Sequence, residues 1–435
     1  MTARSLAMVV ALTLMCAAAR LDAQLISQPT AMRHGLTRAW YNQVPIDTSR
    51  AKLAHWVLHK DILLVQTSAG LLTAIDAETG GTRWTNRLNK DGAPSAAPAA
   101  NDTTVCAVCG DMLYVYDRIT GRTLWERKLS STVNSGLVMN EDRVFFTMSN
   151  GWMESFTLED NRKGEWHYAS KGGSYSTPVL TRDSVAWAND RGLLNASQFD
   201  TAKLSFQFET DMPMAGGLAF QAPFIFMGVK DDNIYAIGAR RGRKLGQVIW
   251  RFYTGGVINF SPAPIGNNLY VTTSDAGMYC LKIGYIADSA EARKKGAVEA
   301  EIPAGGMVEQ TGGTPIWWQS RAYQFLSASK TRVYASDVAG RLLILDGKSG
   351  AIQGSLLIPE LNRRLANTQT DRIFLANNEG FVQCLRETDL VKPLLHLAPD
   401  DAEAAPKREI KKGGAVGEGE EKKDEEKKEE EKKEE

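Results

Sequence analysis

The chain has 435 residues and a formal net charge of zero at pH 7, from 51 basic and 51 acidic side chains. This balance argues against a dedicated nucleic-acid binder, because such proteins carry a clear basic excess. Apolar residues make up 43% of the chain, which also contains 38 glycines and 10 tryptophans. That composition is typical of many short strands joined by tight turns.

The N-terminus has the features of an export signal. Arg4 supplies a positive charge, and the apolar stretch Leu6–Ala19 that follows is too short to span a bilayer comfortably. We predict a signal peptide over residues 1–23 and therefore a periplasmic or secreted protein. An anchoring helix is the alternative, as is a lipid anchor at Cys16, although the residues just before it lack the small side chain that such processing needs. No transmembrane candidate follows Ala23.

A short pattern recurs along the chain: Gly or Asp at a turn, an alternating apolar run, an Asp, a Gly and then a Trp. Its copies begin at residues 70, 111, 151, 192, 232, 276, 340 and 380. The spacing is 40 to 44 residues, apart from a single interval of 64. A period near 40 with several β-rich runs predicts one four-stranded propeller blade per repeat. A helical solenoid is rejected because the runs have a period of two and are rich in β-branched and aromatic residues.

The second copy shows how one unit divides into strands. Its runs are Ser95–Ala100, Thr104–Val108, Met112–Tyr116 and Leu124–Leu129. Each run alternates or is wholly apolar, as expected for strands packed between neighbouring blades. The predicted fold is therefore an all-β, eight-bladed propeller with four-stranded antiparallel blades.

The last blade needs an outer strand to close the ring. Leu36–Val44 carries Trp40 at the position of the blade tryptophans, so we predict that it supplies this strand. Such closure removes the open sheet edge. Leu390–Leu397 is the alternative, which is disfavoured because it contains a proline that cannot donate a ladder hydrogen bond.

The remaining segments complete the predicted domain organisation. A lead over residues 24–35 precedes the propeller, which covers residues 36–399. An Ala-rich, charged insertion at about 285–306 accounts for the long interval and predicts a helical excursion on one rim. The Glu/Lys-rich, low-complexity tail over residues 400–435 has no apolar face to bury, so we predict that it is disordered.

The Asp, Thr-Gly and Trp pattern is clearest in Asp76–Gly80 followed by Trp84, and in Asp117–Gly121 followed by Trp125. This pattern resembles the quinoprotein-type (PQQ-like) β-propeller repeat, and the resemblance covers about residues 36–397. The family contains quinone-dependent dehydrogenases and non-catalytic scaffolds. Eight blades with few insertions look more like the non-catalytic, BamB-like branch.

We predict that the recurring tryptophans are structural and seal adjacent blades, because a large ring at that position buries extensive apolar surface. The predicted set is Trp40, Trp84, Trp125, Trp166, Trp250 and Trp317. Trp318 is an alternative in blade six, and Phe208 is predicted to take the position in blade four.

The sequence provides little evidence for a catalytic, cofactor or metal site. The resemblance to the dehydrogenases would imply a quinone pocket with adjacent cysteines and a bound calcium, and the chain has no Cys-Cys pair. Cys106 and Cys109 are three apart on a predicted strand and therefore point to opposite faces. His55 and His59 have no further ligand at metal-binding spacing. We predict no catalytic, cofactor or metal site, and a protein that is not an enzyme.

The favoured function is a protein-binding scaffold in the cell envelope, which the resemblance links to outer-membrane protein assembly. The predicted partner is another protein, and the chain is a monomer or part of a larger complex. The alternatives are a quinoprotein dehydrogenase with a degenerate site and a carbohydrate-binding propeller. Charged residues between strands are the candidates for a partner-binding rim: Asp190, Arg191, Asp231, Asp232, Arg363 and Arg364.

Overall fold

The computed structural model describes residues 25–88, 93–159, 163–239, 244–284 and 312–396. The predicted signal peptide with Cys16, the insertion and the charged tail lie outside the described residues. The described part forms eight four-stranded antiparallel sheets arranged as a propeller, which confirms the predicted fold class. Its helix is α1 (Gln28–Met32), in the N-terminal lead.

Each blade contains four strands, counted here from the centre of the ring outwards. The first strands of most neighbouring blades contact one another. They are β2 (Leu53–His59), β6 (Ser95–Ala100), β10 (Val138–Met139), β14 (Val179–Leu180), β18 (Met214–Gln221), β22 (Ala263–Ile265), β26 (Gln324–Ala328) and β30 (Arg363–Arg364). The second strands are β3 (Ile62–Thr67), β7 (Thr104–Cys109), β11 (Arg143–Thr147), β15 (Ser184–Ala188), β19 (Phe224–Val229), β23 (Asn268–Thr273), β27 (Arg332–Ser336) and β31 (Ile373–Ala376).

The third and fourth strands complete the blades in the same order. The third strands are β4 (Leu71–Asp76), β8 (Met112–Asp117), β12 (Trp152–Thr157), β16 (Leu193–Gln198), β20 (Asn233–Gly238), β24 (Gly277–Lys282), β28 (Arg341–Asp346) and β32 (Phe381–Glu387). The outer strands are β5 (Thr82–Arg87), β9 (Thr123–Lys128), β13 (Trp166–Ala169), β17 (Leu204–Glu209), β21 (Val248–Tyr253), β25 (Pro315–Gln319), β29 (Ile352–Leu357) and, for blade eight, β1 (Leu36–Gln43). Blade one is β2–β5, and the others follow along the chain.

The core lies between the blades. All six residues of β3 and all six of β7 are buried, because second strands are covered on both faces by neighbouring sheets. Outer strands such as β17 alternate between half-buried and exposed residues. Cys106 and Cys109 belong to different core clusters, so they point to opposite faces of β7 as predicted.

The N-terminal strand closes the ring. β1 pairs antiparallel with β32, from Leu36 opposite Glu387 to Gln43 opposite Phe381, as predicted. The alternative, the C-terminal segment, instead crosses beneath blade eight. There Leu395 bridges to Thr370, and the Leu394 N–H donates to Asp371 Oδ1 at 2.8 Å.

The blade tryptophans occupy one repeated position. Each lies opposite a residue of the third strand and donates its indole N–H to a backbone carbonyl of the next blade. The distances from the indole nitrogen to the carbonyl oxygen are 2.7–3.0 Å. The tryptophans and their acceptor residues are Trp40 and Ala77, Trp84 and Arg118, Trp125 and Leu158, Trp166 and Phe199, Trp250 and Ile283, and Trp317 and Gly347. In blade six Trp317 is buried, whereas Trp318 is exposed.

The same contact explains the repeated glycine. Gly121 has a φ of +69°, and a Cβ atom placed on it would lie 2.6 Å from the Trp84 ring. Gly80 meets Trp40 in the same way. The turn must therefore approach the ring of the preceding blade without a side chain, and it also needs the left-handed backbone that glycine adopts without strain.

Two blades depart from this rule. In blade four the position opposite Ala196 is Phe206, and a Cβ on Gly246 would lie 2.8 Å from its ring. The prediction of Phe208 was therefore wrong, since Phe208 lies opposite Leu194. In blade seven the equivalent position, opposite Ile344, is occupied by Gly354.

The N-terminal lead occupies the space beside Gly354. His34 Nδ1 lies 2.6 Å from the point where a Gly354 Cβ would be. Arg332 of blade seven donates to the His34 carbonyl at 3.2 Å. Ile26 and Ala31 of the lead are buried in the same core cluster as residues of blades seven and eight. The lead thus covers the blade junction that lacks an outer-strand aromatic residue.

Candidate functional site

One face of the propeller carries both the turns between second and third strands and the loops that lead to the next blade. We call it the upper face. Backbone hydrogen bonds join each loop to the neighbouring turn: Asp190 N to Gly173 O at 2.8 Å, and Lys230 N to Pro213 O at 3.0 Å. These loops are therefore held by the blade scaffold.

Asp190 and Arg191 lie at the turn of blade four on this face, and both are exposed. The Asp190 carboxylate accepts a hydrogen bond from Gly173 N at 3.0 Å. A Cβ on Gly172 would lie 2.6 Å from Asp190 Oδ1, so the glycine is what permits this close approach. One charged residue of the pair is thus fixed in position by the adjacent loop.

Asp231 and Asp232 form the corresponding turn of blade five and are half-buried. Asp231 Oδ2 accepts from the Tyr235 hydroxyl at 2.6 Å. Burial and this hydrogen bond raise the pKa of Tyr235. Asp232 has a φ of +62°, and its Oδ1 has no partner among the described residues. This turn presents negative charge on the upper face.

Exposed apolar side chains surround these turns. Tyr175 is 69% exposed and Tyr253 is 65% exposed, and Met212 and Val257 are also exposed. All four lie in, or next to, the loops of three consecutive blades. We call the surface formed by residues 172–176, 189–192, 210–213, 230–233 and 253–258 the upper rim of blades four to six.

The sequence reasoning did not identify these apolar residues. Loops have no periodicity, so the alternation of apolar and polar residues cannot mark an apolar loop residue as exposed. A usable signal was present, since Tyr175 and Val257 each follow a Gly-Gly pair closely.

Arg363 and Arg364 do not join this rim. They form β30, the innermost strand of blade eight, on the opposite side of the ring, and they are half-buried. Arg363 binds Asn378 Oδ1 at 2.8 Å and the Leu53 carbonyl at 3.1 Å, so it links blades eight and one. The predicted rim is therefore split, and only its four residues on blades four and five lie together.

The described residues contain no group of three or more His, Cys, Asp or Glu side chains that could hold a metal ion. The four described cysteines are buried, and none of them forms a disulfide with another. Burial raises the pKa of Cys106 and of Cys384, and that of Cys280 to about 12. Such thiols are poor nucleophiles. In the same part of the chain, no helix is long and apolar enough to cross a membrane.

A half-buried carboxyl group lies between blades two and three. Burial, and then the charge of Glu165, raise the pKa of Glu154 to about 7. Glu165 itself pairs with Arg127, which lies over the Trp125 ring at 4.9 Å. Glu154 has no such cation among the ion pairs found for the described residues, so its ionisation opposes folding.

This arrangement predicts a pH-dependent stability. A carboxyl whose pKa is raised in the fold binds its proton more tightly when folded, so stability falls as pH rises from about 5 to above 7. We expect Glu154→Gln to leave the free energy of unfolding unchanged at pH 5. At pH 8 we expect it to add about 1–2 kcal/mol, after allowance for solvent screening of this half-exposed group. Urea unfolding at the two pH values measures the difference.

Glu126→Gln is the control, because Glu126 is exposed on the neighbouring outer strand. It should leave the free energy of unfolding unchanged at both pH values. A loss of stability in Glu154→Gln at both pH values would contradict the interpretation.

The sequence is similar to that of one known protein family. A family model described as "Outer membrane protein assembly factor BamB" matches residues 37–111 and 68–207. A curated protein with that description from Shewanella oneidensis is 19% identical over 287 residues, 56% of this chain and 71% of that protein.

Solved structures share the architecture. The crystal structure of BamB from Moraxella catarrhalis has a TM-score of 0.60 and 13% identity, covering 81% of this chain and 98% of that one. The quinohemoprotein alcohol dehydrogenase ADHIIG from Pseudomonas putida HK5 has a TM-score of 0.57 and 12% identity, covering 84% of this chain and 78% of that one. At such identities these structures establish the fold alone.

Proposed function

The chain is a BamB-like β-propeller of PQQ-like repeats, and from this premise we propose that it is a non-catalytic, protein-binding scaffold in outer-membrane protein assembly. The export signal that the sequence predicts over residues 1–23 is consistent with a place in the cell envelope. We further propose that the partner binds on the upper rim of blades four to six.

One observation carries the proposal: exposed apolar side chains are interleaved with charged turns on three consecutive blades. Tyr175 and Tyr253 provide large apolar surfaces, whereas Asp190, Arg191 and Asp231 provide charge beside them. Protein interfaces share this composition, with aromatic anchors at the centre and polar residues around them. Adjacent exposed apolar residues on a folded protein commonly mark such a surface.

The rim is also preorganised. Thr254 donates through both its N–H and its hydroxyl to the Asp232 carbonyl at 2.8 Å, and Ser274 N donates to Val257 O at 2.9 Å. Loops fixed in this way lose little conformational entropy when a partner binds. This rigidity supports recognition of a folded partner.

We expect the double substitution Tyr175→Ala with Tyr253→Ala to weaken partner binding about 100-fold. Anchors of this kind contribute about 2–4 kcal/mol to an interface. The measurement is co-purification of the outer-membrane assembly machinery from cells that contain the variant in place of the natural protein, together with the level of assembled outer-membrane proteins.

Ile119→Ala is the matched control, because Ile119 is exposed on a turn of the opposite face. The proposed site is wrong if that variant loses the partner while the double variant retains it. Dye-linked alcohol oxidation by the purified chain after addition of quinone and calcium would overturn the non-catalytic assignment.

A further inference from the structure

A cleft of about 260 Å³ opens on the upper face between blades six and seven. Its walls are the blade-six turn around residues 273–277, the loop at residues 320–323 and the blade-seven turn around residues 337–341. The cleft adjoins the upper rim of blades four to six but shares no residue with it.

A buried carboxylate orders one wall. Asp337 is almost fully buried, and its two oxygens accept from the backbone N–H and from Nε of Arg341, each at 2.8 Å. These bonds hold the Arg341 guanidinium at the wall of the cleft. Both oxygens of the Asp337 carboxylate therefore already accept a hydrogen bond from Arg341.

Two further guanidinium groups lie around the same carboxylate. Arg321 Nη2 is 3.8 Å from Asp337 Oδ2, and its side chain is half exposed. Its guanidinium donates no hydrogen bond to another described residue. Arg364, beneath the turn, has an Nε that is buried without a partner among the described residues. Burial lowers the pKa of Arg364, and the nearby Asp337 partly offsets that effect.

Two arginines, Arg321 and Arg341, and two acidic residues, Asp275 and Asp337, line the cleft. Asp337 binds Arg341, and Asp275 is at the exposed tip of the blade-six turn, where it accepts from the Ser274 hydroxyl at 2.8 Å. An arginine guanidinium carries five N–H donors arranged to match a carboxylate. The unused donors of Arg321 are the feature that points to a ligand.

The size of the cleft narrows the ligand class. Small-molecule sites usually enclose about 300–1,000 Å³, so this cleft is too small for a typical cofactor. It has room for a short chain that ends in a carboxylate. Val338, which is 81% exposed, and Ala339 lie at its mouth and can contact the aliphatic part of such a chain.

We propose that this cleft binds a carboxylate group, with Arg321 as the main ligand-binding residue. The carboxylate comes either from an acidic side chain of a peptide or from a free dicarboxylate. The proposal does not depend on the scaffold function, because it concerns isolated ligands and leaves the upper rim of blades four to six unchanged.

The test uses the full chain and three probes: acetyl-Ala-Glu-Ala-amide, acetyl-Ala-Gln-Ala-amide and succinate. Saturation-transfer NMR gives the dissociation constants. We expect the Glu peptide to bind at least tenfold more tightly than the Gln peptide, and Arg321→Met to remove this difference. Arg321→Lys should retain part of it, because the charge remains while the paired donors are lost.

Arg122→Met is the control, because Arg122 is exposed on the opposite face. Thermal unfolding confirms that each variant is folded. Detectable and equal binding of the Glu and Gln peptides, unchanged binding in Arg321→Met, or no binding of any of the three probes would overturn the proposal. Succinate binding that needs Arg321, with no binding of the Glu peptide, would support the site and identify a free dicarboxylate as the source.

Discussion

Replacement of Arg372 by leucine is expected to lower the free energy of unfolding by about 3–5 kcal/mol, the usual cost of leaving a buried charge without its partner. Arg372 is 1% exposed and donates to Glu78 Oε2 of blade one at 3.0 Å. It also contacts the buried Asp371 at 3.4 Å and the carbonyls of Leu390 and Val391 at 3.1 and 2.8 Å. The substitution leaves Asp371 without its cation and disconnects three segments at the ring closure.

Urea unfolding followed by tryptophan fluorescence measures this loss. Arg372→Lys should recover only part of the stability, because one ammonium group cannot reach all of these acceptors. Arg122→Leu, on an exposed turn, is the control and should cost less than about 0.5 kcal/mol. Equal losses in Arg372→Leu and Arg122→Leu would contradict the assigned role.

The second large effect is expected for Trp84→Ala, at about 3–5 kcal/mol. The indole is buried between blades one and two, with its ring 6.0 Å from that of Tyr116 and its N–H bonded to the Arg118 carbonyl at 2.9 Å. Alanine leaves a cavity there, because Gly121 has no side chain to fill it. Trp84→Phe should cost about 1–2 kcal/mol, since a ring remains but the hydrogen bond is lost.

Trp318→Ala provides the comparison, because Trp318 is also in an outer strand but is 53% exposed. We expect it to cost about 1 kcal/mol or less. The unfolding midpoints in urea order the three variants. A Trp318 variant as unstable as the Trp84 variant would show that the blade position has no special role.

The fold could be predicted because one unit is repeated. Each copy sets the same strands and the same turn, so errors in single copies do not change the period. Closure by Leu36–Gln43 was also predictable, since Trp40 marks it as an outer strand that lacks its own blade.

Phe206 shows where repeat reasoning was applied incompletely. Trp84 follows Asp76 by eight residues, and Phe206 follows Gln198, the equivalent residue of blade four, by the same number. Counting would have identified it. The turn of blade four lacks the glycine that marks the others, so alternation alone could not distinguish Phe206 from Phe208.

The surface features were harder to predict from the sequence than the fold. Whether Arg363 is on a rim or in a strand depends on the tertiary contacts with Leu53 and Asn378, which no local pattern encodes. The filling of the Gly354 position by His34 joins residues 320 apart. Contacts of this kind depend on the closed ring and not on the repeat.

The pairing of β1 with β32 also affects how the protein is made. Gln43 meets Phe381, so about 340 residues must leave the ribosome before the first strand of the propeller has a partner. Contacts this distant in sequence raise contact order and slow folding. Until the ring closes, the first strand and the edge of the last blade stay unpaired, and unpaired strand edges are prone to aggregation.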